Sequence, residues 1–309
     1  GGTGISFTSW KSIDLIIKKG MYMSLLTGLE KFGLQADEMQ IYEKKDEKPV
    51  EKEVVKKEEK IPEETDFLLL KSVQCPVCEH KFKMISVKSG RLRRKEPDMD
   101  LRPRFYYIDT LKYDICACPN CGYTAMSRYF DSMSSLQRKL IKENVCDKFN
   151  AHNALNVEEL KAYDYDTAVE RYKLSLYNSI VKKAKISEKA YTCLKLAWML
   201  YEQNEELTGK DEKTLEKKAA CVKEADEFYE KAYDGFVEAI ANEMYPICGM
   251  DQNTLDCLLA AMAFRLKKYD IASKMISSIL VSRTASSKMK DKALDMKEEI
   301  IEALKKEEQ

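Results

Sequence analysis

The chain has 309 residues, 44% of them apolar, which excludes a wholly disordered protein and permits two domains of ordinary size. Its 52 basic and 52 acidic residues cancel, which excludes a whole-molecule field that would draw the chain to nucleic acid or to a membrane surface. Ten cysteines in a large lysine-rich chain without a cleavable apolar leader indicate reduced thiols and a cytoplasmic location. No apolar run approaches the roughly 18 to 20 residues that a membrane span requires, so we expect no span.

Residues 1–65 are predicted to hold a leader or disordered segment, a short amphipathic helix and a charged linker. Residues 1–22 lack helical or strand periodicity, so Met21 or Met23 is a candidate start, and an ordinary disordered N-terminus is the alternative. Residues 43–64 combine dense charge with two prolines and predict a solvated linker. The segment between them has apolar residues at helical spacing: Leu25, Leu26, Leu29, Phe32 and Leu34. We expect it to dock either on the same chain or on a partner.

Residues 66–134 are predicted to form a small β-rich module, because short β-like runs bracket two cysteine pairs. The pairs are "CPVC" (Cys75, Cys78) and "CPNC" (Cys118, Cys121), each at the end of a strand and the start of a tight turn. This arrangement is typical of a tetrahedral zinc site built from two turns, with iron as the alternative metal. The four cysteines are therefore predicted to be metal ligands that hold the fold together.

The residues around each pair support two metal-binding turns. Gly122 can adopt the positive φ that such a turn requires, whereas Glu79 occupies the equivalent position of the first turn at a cost of about 1 kcal/mol. Phe82 and Tyr123 are placed to pack beneath the turns. Because residues 79–117 exceed the spacer of about 15 to 20 residues in compact ribbons, we expect the intervening loop to have structure of its own.

Other chemistry of these thiols has weaker support. A thiol redox pair usually opens a helix, but both pairs here follow strands and precede further β-like sequence. Cys116 is expected to pack under the site, with substitution as a ligand as the alternative. His80 is predicted to be a turn residue and His152 a surface residue, which leaves little room for histidine-based catalysis. A closed four-cysteine site has no open position to activate water, so we expect no enzyme.

The loop between the cysteine pairs is strongly basic and ends in "RFYY". Arginine beside aromatic residues is typical of a nucleic-acid contact surface, because guanidinium groups bind phosphates and aromatic rings stack on bases. The first interpretation is nevertheless a structural or solvated loop, in which Asp98 and Asp100 pair with the neighbouring arginines. Nucleic acid and an acidic protein partner are the alternatives. The candidate contact residues are Arg91, Arg93, Arg94, Lys95, Arg102 and Arg104.

Residues 135–309 are predicted to form a helical domain, with amphipathic helices over 162–180, 189–204, 217–240 and 254–280. A tyrosine followed three residues later by alanine recurs at Tyr165 and Tyr269 and indicates tetratricopeptide-like helix pairs. Such pairs stack into an array with a concave groove. The larger aromatic residues and the cysteines are predicted to be core: Trp198, Phe228, Phe264, Cys193, Cys221 and Cys257. The last helix is predicted to cap the array by burying Leu294, Ile300, Ile301 and Leu304.

Four segments, "CPVCEHKF", "DMDLRPRF", "YDICACPNCGYTA" and "LKLAWMLY", together resemble the bacterial family known as domain of unknown function 2225. The resemblance covers roughly residues 66–280, and the cysteine turns are its most specific part. It implies a zinc-ribbon-like module, a tetratricopeptide-like C-terminal region and a cytoplasmic bacterial protein, with the four paired cysteines as metal ligands. It implies no activity, substrate or catalytic residue.

The sequence thus predicts an α+β protein, in which a small β-rich zinc-ribbon-like module precedes a tetratricopeptide-like α-helical domain. The predicted function is that of a non-enzymatic zinc-binding adaptor, which binds a protein partner through its helical-repeat surface. The alternative is an RNA- or DNA-binding protein that uses the arginine-rich loop. A thiol oxidoreductase is the third and least favoured hypothesis.

Overall fold

The computed structural model describes residues 61–150 and 155–307. It confirms the α+β class. The strands are β1 (Leu68–Gln74), β2 (Lys81–Val87), β3 (Ile115–Ala117) and β4 (Thr124–Met126). The helices are α1 (Ser135–Ile141), α2 (Tyr165–Val181), α3 (Ile186–Glu206), α4 (Glu212–Asn242), α5 (Gln252–Arg265), α6 (Tyr269–Val281) and α7 (Ser287–Glu307). The predictions for residues 1–60 and for His152 lie outside the described residues.

The strands form two separate antiparallel hairpins. β1 pairs with β2 from Leu68 opposite Val87 to Gln74 opposite Lys81, so the first cysteine pair lies in the turn of this hairpin. β3 pairs with β4 from Ala117 opposite Thr124, and the second cysteine pair lies in that turn. Each pair is therefore carried by a hairpin of its own.

The long segment between the hairpins has structure of its own, as its length predicts. Arg94 bridges to Phe105, and the Lys95 N–H donates to the Arg104 carbonyl at 2.9 Å, so residues 93–106 form an irregular hairpin. We call this segment the inserted hairpin. Its tip turns at Leu101, which has a left-handed φ of 64°. Met99 and Leu101 of the tip pack against the helical core, so the inserted hairpin joins the β module to the helices.

Three of the long helices begin with the same short motif. In each, an aspartate N-cap accepts a hydrogen bond from the backbone N–H of a threonine three residues later, which satisfies one free amide of the first turn. The pairs are Asp164–Thr167, Asp211–Thr214 and Asp251–Thr254. The D-x-x-T pattern is visible in the sequence and marks the starts of α2, α4 and α5.

The prediction of a single helix over residues 254–280 is wrong, because this segment forms two helices, α5 and α6. The break lies at Lys267, which takes a left-handed φ of 58° without a glycine or proline nearby. The Lys268 N–H then donates to the Ala263 carbonyl at 2.8 Å and closes the end of α5. Apolar periodicity continues through this turn, so the sequence pattern conceals it.

One hydrophobic core runs across the predicted boundary at residue 134. Leu111, Ile115 and Met126 of the β module belong to the same buried cluster as α2 to α7. Within it, α3 and α4 approach closely, since a Cβ built on Gly235 would lie 2.9 Å from the Ala190 Cβ. Three alanines of the helices and the three predicted core cysteines are buried: Ala168, Ala260, Ala272, Cys193, Cys221 and Cys257.

The last helix differs from its prediction. Ile300 is buried, but Leu294, Ile301 and Leu304 are 47%, 43% and 42% exposed. These three side chains recur at intervals of seven and three residues, so they form an apolar strip along one side of α7. The helix therefore buries one face and leaves a second apolar strip uncovered. No helix within residues 61–150 and 155–307 is long and apolar enough to cross a membrane.

Candidate metal centre

The four predicted ligands come together at the junction of the two strand hairpins. The sulfur atoms of Cys75, Cys78, Cys118 and Cys121 all lie within 4.8 Å of one another. Two of the Sγ–Sγ distances are 3.7 Å, between Cys75 and Cys121, and 3.6 Å, between Cys78 and Cys118. A tetrahedral centre with metal–sulfur bonds of about 2.3 Å has sulfur–sulfur edges of about 3.8 Å. The thiols are free and far beyond the disulfide bond length of about 2.05 Å.

The first turn is held by two backbone hydrogen bonds. The Cys75 N–H donates to the His80 carbonyl at 2.9 Å, and the Glu79 N–H donates to the Cys75 carbonyl at 2.9 Å. Glu79 adopts the predicted positive φ, at 63°. The Val77 N–H points back at the Cys75 sulfur at 3.4 Å, as an amide that stabilises a thiolate does.

The second turn has the same two backbone hydrogen bonds as the first. The Cys118 N–H donates to the Tyr123 carbonyl at 2.9 Å, and the Gly122 N–H donates to the Cys118 carbonyl at 3.0 Å. Gly122 has a φ of 75°, as predicted. A Cβ at Gly122 would also lie 2.4 Å from Cδ2 of Phe149, so this position requires glycine for space as well as for conformation.

Three of the four thiols change one another's pKa values. Hydrogen bonds from Cys121 and then Cys75 lower the pKa of Cys118 to about 2. The hydrogen bond to Cys118 is the main cause that raises the pKa of Cys75 to about 12, and the same partner raises the pKa of Cys121. A divalent metal would allow all four sulfurs to ionise together.

An apolar shell closes most of the site. Cys75, Cys118 and Cys121 are buried, whereas Cys78 is partly exposed and accepts a hydrogen bond from the Asn120 amide at 3.5 Å. Tyr123 is fully buried beneath the sulfurs and donates its hydroxyl to the Phe130 carbonyl at 3.1 Å. Further buried side chains complete the shell: Val77, Met84, Ala125, Phe130, Ile141 and Val145. Phe82 packs against this cluster as predicted.

The remaining thiols and the histidine near the site lie outside the four-sulfur group. Cys116 is buried in the apolar shell, and burial raises its pKa to about 12. His80 is exposed and stacks on Phe82 with ring centroids 6.5 Å apart. Sequence reasoning missed Cys146, which is partly buried and packs against the apolar shell from outside the four-sulfur group. No spacing signal marks Cys146, because it lies in a helical segment.

The structure divides the predicted basic contact residues into two groups. Arg102 is only 3% exposed, and its guanidinium pairs with Asp109 at 3.0 Å and Glu202 at 2.8 Å. Arg104 is partly buried and pairs with Glu202 at 2.6 Å and, as predicted, with Asp98. Both arginines therefore serve contacts inside the protein. Burial removes Arg102 from the set that a partner could reach.

The second group stays on the surface. Arg93, Arg94 and Lys95 are exposed, and Arg91 is exposed while it donates to the Asp66 carbonyl at 3.2 Å. The inserted hairpin brings two exposed tyrosines beside them, since the Tyr106 N–H donates to the Arg93 carbonyl at 3.0 Å. The Tyr106 and Tyr107 ring centroids lie 6.1 Å apart. We call these residues the basic–aromatic patch: Arg91, Arg93, Arg94, Lys95, Tyr106 and Tyr107.

A cavity of about 330 Å³ lies beside the tip of the inserted hairpin. Its aromatic lining includes Trp198, Tyr201 and Phe264, two of which the sequence assigns to the core. Trp198 is buried and Phe264 is partly buried against the core. The Arg265 guanidinium already lies 3.8 Å from the Tyr201 ring centroid. The ring face of Tyr201 is thus occupied by a side chain of the same protein.

Four cysteine sulfurs within 4.8 Å of one another fit a borderline-soft metal ion, because sulfur ligands select zinc or iron over magnesium or calcium. All four positions are filled by protein atoms, so the arrangement can stabilise a fold but has no open coordination position for a substrate. The described residues thus bring together the four cysteines that the spacing predicts as ligands, in a group that could hold a metal ion.

Comparison with known protein families identifies the family to which the chain belongs. The model of domain of unknown function 2225, described as an uncharacterised protein conserved in bacteria, matches residues 68–300. No curated protein and no solved structure matches the chain. The matched region contains both cysteine turns, the inserted hairpin and most of α7, and the chain belongs to the domain of unknown function 2225 family.

Proposed function

We propose that the protein is a non-enzymatic, zinc-stabilised adaptor of the bacterial cytoplasm. The observation that supports it best is the pair of cysteine turns, which have backbone hydrogen bonds of the same pattern and bring four sulfurs within 4.8 Å of one another. Zinc suits such a set because it has no geometric preference of its own and is redox-inert. Iron is the alternative metal. Ten free cysteines favour a reducing compartment, and neither cysteine pair opens a helix, which argues against a thiol oxidoreductase.

The structural role of the ion is tested with a double variant, Cys75→Ser together with Cys118→Ser. It removes one ligand from each turn, so we expect the bound metal to be lost and the thermal midpoint to fall. Cys221→Ser is the matched control, because this buried thiol lies outside the four-sulfur group and contacts the Gln203 side chain at 3.5 Å. A double variant that keeps its metal and melts like the wild type would refute the structural half of the proposal.

The adaptor half of the proposal rests on the apolar strip of α7. Leu294, Ile301 and Leu304 are close to half exposed on a helix that is otherwise rich in lysine and glutamate. A narrow apolar strip between charged residues fits the apolar face of one amphipathic helix, as in a coiled-coil seam. We propose that such a helix of a partner protein binds here, and that the tetratricopeptide-like stacking of the preceding helices presents α7 to it.

Affinity capture from a native bacterial lysate tests this role when it is done with the wild type and with Leu294→Glu/Ile301→Lys. The paired charges keep the net charge constant. We expect a protein that is captured by the wild type, resists nuclease and is absent from the variant capture. Equal capture by both chains would argue against α7, and loss of all partners on nuclease treatment would favour the second candidate function.

That second candidate is nucleic-acid binding, and the basic–aromatic patch specifically favours it. The Lys95 ammonium lies 4.7 Å from the Tyr106 ring centroid, and both tyrosines are nearly half exposed beside the arginines. Cations beside exposed rings suit single-stranded RNA or DNA, which offers phosphates and unstacked bases. Arg93→Glu/Arg94→Glu should abolish salt-sensitive binding of a single-stranded oligonucleotide. Arg138→Glu/Arg283→Glu changes the charge equally at exposed positions elsewhere and should leave that binding intact.

A further inference from the structure

A second cavity, of about 290 Å³, is lined by the inserted hairpin and by the C-terminal end of α3. Ligand pockets begin at about 300 Å³, so a space of this size suits a small molecule. Charged side chains dominate its wall. Most of them form ion pairs with one another: Arg102 with Asp109 and Glu202, Arg104 with Glu202, and Lys112 with Glu64. Two groups of opposite charge in this wall still have bonding capacity.

The first group is the carboxylate of Glu206, the last residue of α3. Within residues 61–150 and 155–307, no basic side chain forms an ion pair with Glu206, and the last turn of α3 contains no basic residue. The C-terminal end of a helix carries a partial negative charge, which favours a cation beside it. Glu206 therefore offers a binding position for an ammonium group.

The second group is the guanidinium of Arg102. Arg102 is only 3% exposed, and its Nε has no hydrogen-bond partner among the described residues, although Nη2 pairs with two carboxylates. A buried donor without a partner is destabilising. Arg104 contacts the same Glu202 oxygen as Arg102, at 2.6 and 2.8 Å, so two guanidinium groups converge in this wall. A small molecule inside the cavity can approach this wall, although a macromolecular partner cannot.

We propose that this cavity binds a free α-amino acid, whose ammonium group binds Glu206 and whose carboxylate binds at Arg102. The two ends of an amino acid match the two groups in charge and in hydrogen-bonding type, because a carboxylate accepts from a guanidinium and an ammonium donates to a carboxylate. The wall also contains Pro103, Phe105 and Tyr107, which fit an apolar or aromatic side chain. The proposal depends neither on the metal centre nor on the apolar strip of α7.

Calorimetric titration of the purified full chain with L-phenylalanine and with L-leucine tests the proposal. We expect at least one of them to bind once per chain and to raise the thermal midpoint, because it binds the folded state. The matching amine and acid each lack one charged end; for L-phenylalanine they are 2-phenylethylamine and 3-phenylpropanoate. Each should bind at least about tenfold more weakly than the amino acid. The proposal is overturned if neither amino acid binds at millimolar concentration, or if the amine or the acid binds as tightly as the amino acid.

A substitution at the exposed end of α3 tests the position of the ammonium group. Glu206→Gln removes the charge at nearly constant shape, so the affinity for the amino acid should fall at least about tenfold, while 3-phenylpropanoate should bind as it does to the wild type. Glu205→Gln is the matched control, because this neighbouring exposed carboxylate lines the cavity beside Trp198 instead. It should bind the amino acid like the wild type. Equal affinities of the two variants would overturn the assignment of Glu206.

Discussion

The indole N–H of Trp198 donates to the carboxylate of Asp100 at 2.7 Å, and this contact anchors the tip of the inserted hairpin to helix α3. The Tyr229 hydroxyl of α4 donates to the same oxygen at 3.0 Å. One carboxylate thus satisfies two polar groups that belong to buried aromatic side chains. The β module and the helices are held together at this point.

Asp100→Ala should destabilise the protein by about 2 kcal/mol, because it leaves the Trp198 and Tyr229 donors unpaired. Urea unfolding followed by Trp198 fluorescence measures this, in a Trp10→Phe background that removes the other tryptophan. Asp98→Ala is the control, since it breaks only the partly exposed pair with Arg104 and should cost less than about 1 kcal/mol. Equal losses for the two variants would contradict the anchoring role of Asp100.

The two cysteine turns differ at one position, which gives a paired prediction. Glu79→Gly relieves a left-handed residue with a side chain and should raise stability by about 1 kcal/mol. Gly122→Ala adds the same strain and a clash with Phe149, so it should destabilise the chain by several times as much, roughly 3 kcal/mol. Thermal melts of the metal-loaded variants check both signs. If Gly122→Ala stabilised the chain, residue 122 could not have the positive φ and the close contact with Phe149 on which this prediction depends.

The four-cysteine group could be predicted from the sequence because the residues that define each turn are close together in the chain. Two cysteines, a proline and a residue at positive φ define each turn within a few positions, so even the strain at Glu79 is visible before the structure. The contact that anchors the inserted hairpin cannot be predicted from the sequence, because Asp100 and Trp198 are 98 residues apart and no periodicity relates them. The break at Lys267 and the exposed strip of α7 were missed for a similar reason. Both depend on which helix faces remain covered once the chain packs.

The contact between α3 and α4 predicts that a favourable helix residue will be harmful. Gly235→Ala improves helix propensity by about 1 kcal/mol but puts a methyl group 2.9 Å from the Ala190 Cβ, so we expect net destabilisation. Adding Ala190→Gly makes room for that methyl group on the facing helix and should restore most of the loss. Chemical denaturation of the two single variants and the double variant measures the coupling. Strictly additive effects would argue against direct contact.

The two groups of basic residues should respond differently to truncation. Arg102→Ala leaves the partly buried Asp109 without its ion-pair partner and leaves Glu202 paired only with Arg104, so it should cost about 3 kcal/mol. Arg93→Ala removes an exposed side chain and should change stability by less than about 0.5 kcal/mol. Unfolding curves of both variants check the contrast. A tolerated Arg102→Ala would show that the buried pair is not needed for the fold.

The most direct test of the metal centre is elemental analysis combined with X-ray absorption of the purified protein. We predict one zinc ion per chain, surrounded by four sulfur atoms at about 2.3 Å, and loss of that signal in Cys75→Ser/Cys118→Ser. A protein that is stable without any metal, or a metal shell dominated by nitrogen and oxygen, would contradict it.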